Sequence, residues 1–216
     1  QTMQKIILML CTTFYASFAL AQEVNTWNYW ATHFFQHQED EKVTEFLTFI
    51  DTPENLAETQ GALQGMLPHF ILRDNRTQGF VFSQATSQEL KKLAIKGLYL
   101  FEAEYLIPQA YKPNLSQPAE NSLLARAPET PEEADTLWGA FMATGKVVYV
   151  DNILAALKEG QPPLLTAAIQ WSVEKNMHIY KKVRKRVQQH LDPQNPNQHH
   201  IQKIWDTYQR NIQSPL

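Results

Sequence analysis

The sequence has a single cysteine, Cys11, and only 7 glycines in 216 residues. Cys11 lies in an N-terminal stretch expected to be removed. The remainder then has no disulfide, no thiol nucleophile and no cysteine-ligated metal. Scarce glycine leaves little material for phosphate-cradling loops, and no nucleophile elbow, dinucleotide fingerprint or metalloprotease motif occurs. Beyond the N-terminus no apolar run approaches the roughly 20 residues of a membrane span. A strong excess of one charge is also lacking, since the net charge is −3. With 44% hydrophobic and 19% charged positions, the composition is that of a folded globular chain and excludes collagen-like, disulfide-scaffold and wholly disordered classes.

Residues 3–21 read as an export signal. Met3-Gln4-Lys5 is weakly basic, Ile6 to Leu20 is almost uncharged, and Ala19-Leu20-Ala21 is the small-x-small pattern preceding a cut. Cleavage after Ala21 is expected, an uncleaved anchor being the alternative. Leu10 is not the small residue that lipoprotein processing at Cys11 requires. The mature chain, from Gln22, is expected in the periplasm or secreted, without a transmembrane segment.

Helical periodicity dominates from there. Trp27, Trp30, Ala31, Phe34 and Phe35 fall at i, i+3, i+4, i+7 and i+8. Val43, Phe46, Leu47 and Ile50 repeat the pattern, as do Leu90 to Phe101, Ala134 to Met142, and Ile201 to Tyr208. Only 79–82 and 147–150 cluster β-formers, too briefly to outweigh their helical surroundings. The expected helices are about 25–37, 40–50, 54–74, 78–84, 87–107, 131–144, 146–158, 164–190 and 198–211, with a break in the long one at Asn176 an open option. Thr52-Pro53-Glu54 and Thr130-Pro131-Glu132 each supply a capping hydroxyl, a first-turn proline and an acid. Thr130 with Glu133 and Thr86 with Glu89 fit the capping box, and Gly145 fits a left-handed stop. The fold class is all-α, as antiparallel helical hairpins stacked into a short α-solenoid or an irregular helix bundle.

Pro108, Pro113, Pro118, Pro128 and Pro131 mark 108–131 as a connector between an N-terminal helical block (22–107) and a C-terminal one (132–216). A faint echo links the blocks. Asp51-Thr52-Pro53-Glu54 precedes Gly61-Ala62-Leu63, and Glu129-Thr130-Pro131-Glu132 precedes Gly139-Ala140-Phe141. Leu137 to Gly145, followed by Tyr149 to Leu157, resembles a helical hairpin of the tetratricopeptide-like kind: an aromatic and small-residue helix, a glycine turn, then an alanine-leucine helix. More broadly this block resembles uncharacterised exported helical-repeat proteins of bacteria. That resemblance carries no activity with it; stacked helical pairs make extended surfaces rather than deep catalytic clefts, and this favours binding.

Three groups are chemically suggestive. His33 and His37, one helical turn apart beside Glu39 to Glu41, form half of a zinc site, against two ordinary surface histidines. Glu102 and Glu104 offer a lone glutamate for cell-wall glycan cleavage, but i and i+2 do not share a helix face, and solvated acids are the plainer reading. The charge layout carries more. Residues 22–160 hold 19 acidic and 10 basic side chains, and 161–216 hold 3 and 8. The positive charge concentrates in Lys175, Lys181, Lys182, Arg184, Lys185 and Arg186, on one long helix whose buried stripe is Ile179, Tyr180, Val183 and Val187. These cations suit either the negative end of that helix dipole or an anionic partner. The favoured reading is an exported non-enzymatic protein that binds another macromolecule, a protein or an anionic envelope component rather than nucleic acid. These six residues are the candidate contact. No cofactor or metal is expected. A cell-wall hydrolase and a small-molecule or lipid carrier are the alternatives.

Overall fold

The computed structural model describes residues 22–112 and 122–213. The expected export signal and the middle of the connector lie outside the described residues, so neither is addressed by the fold. Regular structure among the described residues is entirely helical, in eleven α-helices and three short 3-10 turns. They are α1 (Gln22–Thr32), α2 (Phe34–His37), α3 (Val43–Ile50), α4 (Pro53–Arg73), α5 (Asn75–Val81) and α6 (Gln88–Leu100), then α7 (Pro131–Thr144), α8 (Val148–Ala155), α9 (Pro163–Ile179), α10 (Lys181–Gln189) and α11 (Gln198–Gln213). The two β-former clusters fall at helix ends, the first closing α5 and the second opening α8. No helix of the described residues is long and apolar enough to cross a membrane.

The caps explain most boundaries. Thr52 accepts a hydrogen bond from the Asn55 amide at 3.3 Å, and Thr130 from the Glu133 amide at 3.2 Å, each ahead of a first-turn proline. The Glu133 carboxylate reaches back one residue further than a capping box requires, to the Glu129 amide at 2.7 Å, and grips Arg126 with both oxygens. The expected Thr86 cap is corrected. Ser87 caps α6 through the Leu90 amide, while the Thr86 hydroxyl donates to the Phe80 carbonyl. Gly145 ends α7 with φ +66°, as expected. At the end of α6 the expectation fails, because the helix stops at Leu100 rather than near 107. Glu102 takes φ +56°, with the Ala103 amide bonded to Leu98 O and the Glu102 amide to Tyr99 O. That is a Schellman stop with glutamate where glycine is usual, so the sequence carried no visible stop signal.

α4 is the central helix. On one side Gly61 and Gly65 meet α7, where Gly139 answers them. A Cβ on Gly65 would stand 1.8 Å from the Thr136 carbonyl, and one on Gly139 would stand 2.0 Å from that of Ala62. On the other side Gly97 of α6 lies over Gln64 O, where a Cβ would stand 2.2 Å away. Pro68, inside α4, explains that approach: lacking an amide, it cannot bond Gln64 O, and the freed carbonyl faces the glycine. Gln64 Nε2 also donates to Thr136 Oγ1 at 3.1 Å within the buried α4–α7 seam.

The pairings fix direction. Gly61 lies by Glu132 and Asp135, and Gly65 by Thr136 and Ala140, so α4 and α7 run the same way. Asp51, just before α4, bonds Ser87, just before α6, while Gly97 sits by Gln64 and Pro68, so α6 is parallel to both. Spatial order is α6–α4–α7, different from chain order, which makes this an irregular bundle. One apolar core runs through both helical blocks, from Trp30, Phe34 and Phe70 to Phe141, Tyr180 and Ile204.

Candidate functional site

The expected helix 164–190 is two helices, and the division decides how its cations are used. The break falls at Tyr180, with φ −114° and ψ 116°, rather than at Asn176, which is buried inside α9. Tyr180 is drawn into the core. Its ring lies edge-on to Phe141 at 5.2 Å, and its hydroxyl donates to Thr32 O at 2.7 Å. An uninterrupted helix would not place that ring there. Lys181 and Lys182 consequently open α10, in a first turn that holds no acid and has no side-chain cap. The reading that these two cations lie at the negative end of a long dipole is reversed: they sit at a positive end.

The six candidate cations separate. Arg186 holds the Asp151 carboxylate of α8, Nη2 to Oδ2 at 2.7 Å, and His190 lies 3.0 Å from the same group. Arg184 folds back to Met177 O at 2.6 Å, closing the C-terminal end of α9. Lys182, though exposed, donates to Gly145 O at 3.3 Å and lies 5.0 Å from the Phe35 ring. Lys175 pairs with Glu174 at 3.3 Å. Lys181 and Lys185 remain, exposed, one turn apart, with no carboxylate of the described residues within ion-pair reach. With Gln188 they form the outward edge of α10, opposite buried Val183 and Val187.

The other sequence candidates are dispersed. His33 Nδ1 lies 2.9 Å from Tyr29 O and its ring stacks on Tyr29, while His37 ends α2, exposed. No set of three or more histidine, cysteine or acidic side chains among the described residues is arranged to hold a metal. Glu102 and Glu104 are exposed, the first as the α6 stop and the second in a 3-10 turn.

Three titratable groups that sequence reasoning missed lie between packed helices instead, Glu174 buried and Asp135 and His69 partly so. Asp135 of α7 lies against Gly61 of α4, and burial, reinforced by Glu132, pushes its pKa up to about 7. His69 of α4 is packed against Phe101 and accepts or donates a 3.2 Å hydrogen bond with the Tyr149 hydroxyl; burial, then nearby Lys146, pushes it down to about 4. Burial pushes the Glu174 carboxyl of α9 up, but hydrogen bonds from Asn211 and His178 and the charge of Lys175 outweigh it, leaving the group below its usual range. It ties α11 to α9. Each of these positions looked like an ordinary polar residue on a helix, and only the packing of a second helix makes it distinctive.

No known family model, curated protein or solved structure matches the chain.

Proposed function

We propose that this is an exported, non-enzymatic helical-repeat protein that binds the acidic surface of another protein through the outer edge of α10. The observation that carries the reading is the pair Lys181 and Lys185, exposed and unmatched by any described carboxylate. Their setting strengthens it. Lysine at the opening turn of a helix opposes the dipole, at a cost of a few tenths of a kcal/mol that an anionic partner removes. The neighbours Arg184 and Arg186 are engaged with Met177 O and Asp151, which ties α10 to α9 and α8 and limits the entropy lost on docking. Contacts of this kind act chiefly on encounter rate and specificity, and weaken with salt.

The test is affinity capture with the tagged protein against the K181E/K185E variant, from envelope extract, with proteins identified by mass spectrometry. An acidic protein retained by the parent and lost by the variant supports the reading, provided both melt at the same temperature. Retention by the variant at moderate salt removes α10 from the interface. Arg186 and Lys182 are unsuitable for this test, because reversing them breaks contacts within the fold.

A further inference from the structure

The two charged regions of the molecule lie at opposite ends of its parallel helices. At the amino-terminal end, a groove of about 330 Å³ lies between α4 and α6. Pro53, Leu56, Ala57 and Leu93 supply its apolar lining; of the two acids that line it, Asp51 accepts from Ser87 and Glu89 pairs with Lys92 at 2.8 Å on the exposed surface. Glu54 and Glu58, both exposed and one turn apart on α4, extend the negative charge alongside. At the other end, Lys182 reaches Gly145 O at the close of α7, which places Lys181 and Lys185 beside the carboxyl ends of these helices. α4 alone is 21 residues, about 32 Å long at 1.5 Å per residue. That exceeds the roughly 8 Å screening length at physiological salt, so the two regions cannot neutralise each other within one molecule.

We propose that a second copy of this chain occupies the groove, its α10 edge presenting Lys181 and Lys185 to Glu54 and to Glu89, which exchanges its exposed Lys92 partner for the incoming lysine. The inference rests on the reading of α10 as a docking face and names one partner for it. The contact is head-to-tail, with a different patch on each copy, so it propagates as an open chain rather than closing as a two-fold dimer. The lysine stems lie along the apolar lining while their ammonium groups meet these carboxylates. Ion pairs between exposed side chains contribute little each, so association is weak, reversible and sensitive to salt.

Sedimentation of the mature protein, at about 20 mM and then about 500 mM salt, tests it, since screening is several-fold stronger at the higher value. Weight-average mass is expected to rise with concentration at low salt and return to the monomer value at high salt. K181E/K185E and E54K/E89K are each expected to lose the rise, and an equimolar mixture of the two to recover association. A parent that stays monomeric at low salt overturns the proposal, and so does association that survives E54K/E89K. If the parent is monomeric yet still captures a foreign acidic protein through Lys181 and Lys185, the docking face stands and self-association alone falls.

Discussion

Replacing Asp135 with asparagine is expected to stabilise the protein, and more so as pH rises. Among the described residues the carboxyl has no hydrogen-bond partner; it sits against Gly61 where α4 and α7 touch, and burial and then Glu132 hold it near 7 instead of 3.8. The folded state therefore binds its proton more tightly than the unfolded state, so stability is greatest below about pH 4 and declines as pH rises through about 7. A displacement from 3.8 to about 7 corresponds to about 4 kcal/mol at full ionisation. Solvent reaches the edge of the residue, which makes this a ceiling, and a gain of about 1–3 kcal/mol at pH 8 is the working expectation. His69 works in the opposite sense. Burial holds it near 4, so protonation of the unfolded chain destabilises the protein as pH falls below about 6.5. The parent's own pH profile mixes the two effects, whereas the difference between D135N and parent cancels His69. Urea unfolding of both proteins between about pH 4 and pH 8 measures that difference. A gap that does not widen with pH, or an asparagine variant less stable at pH 8, would refute the reasoning.

Other substitutions probe the bundle itself. Gly139→Ala places a methyl on the Ala62 carbonyl, and Gly65→Ala one on that of Thr136; each is expected to cost about 3 kcal/mol or more by calorimetry, or to prevent folding. Glu102→Gly removes the strain of a left-handed glutamate at the α6 stop and should raise stability by about 1 kcal/mol, a rise in melting temperature of about 2–4 °C. Arg186→Gln leaves Asp151 with His190 alone and should cost about 1–2 kcal/mol, while Lys185→Glu, on the same helix, should stay within about 0.5 kcal/mol. Equal losses for the last two would mean that the Asp151 contact contributes little.

The periodic apolar stripes announce the helices, and Thr52, Thr130 and Gly145 announce their own ends because caps are local chemistry. What escapes sequence reading is decided by contacts between distant residues. Nothing adjacent to Tyr180 breaks a helix; the break exists because Phe141 and Thr32 receive its ring and hydroxyl. The expected helix does run through Pro68, but that the carbonyl Pro68 frees lies against Gly97 of α6 is not legible in either segment. The candidate docking residues were visible as a run of positive charge. Their division into inward Arg184 and Arg186 and outward Lys181 and Lys185 depends on where α8 and α9 lie, which no local pattern encodes.

The side-by-side arrangement of α4 and α7 has a consequence for how fast the protein reaches its native state. Gln64 and Thr136, which join across their seam, are 72 positions apart in the chain. Helices alone form in about a microsecond, but bringing such remote partners together means closing a long loop before any contact rewards it. An up-and-down bundle, whose neighbours are joined by short turns, escapes that delay. This polypeptide is therefore expected to refold more slowly than its helix content suggests, with a rate limited by the meeting of its two halves.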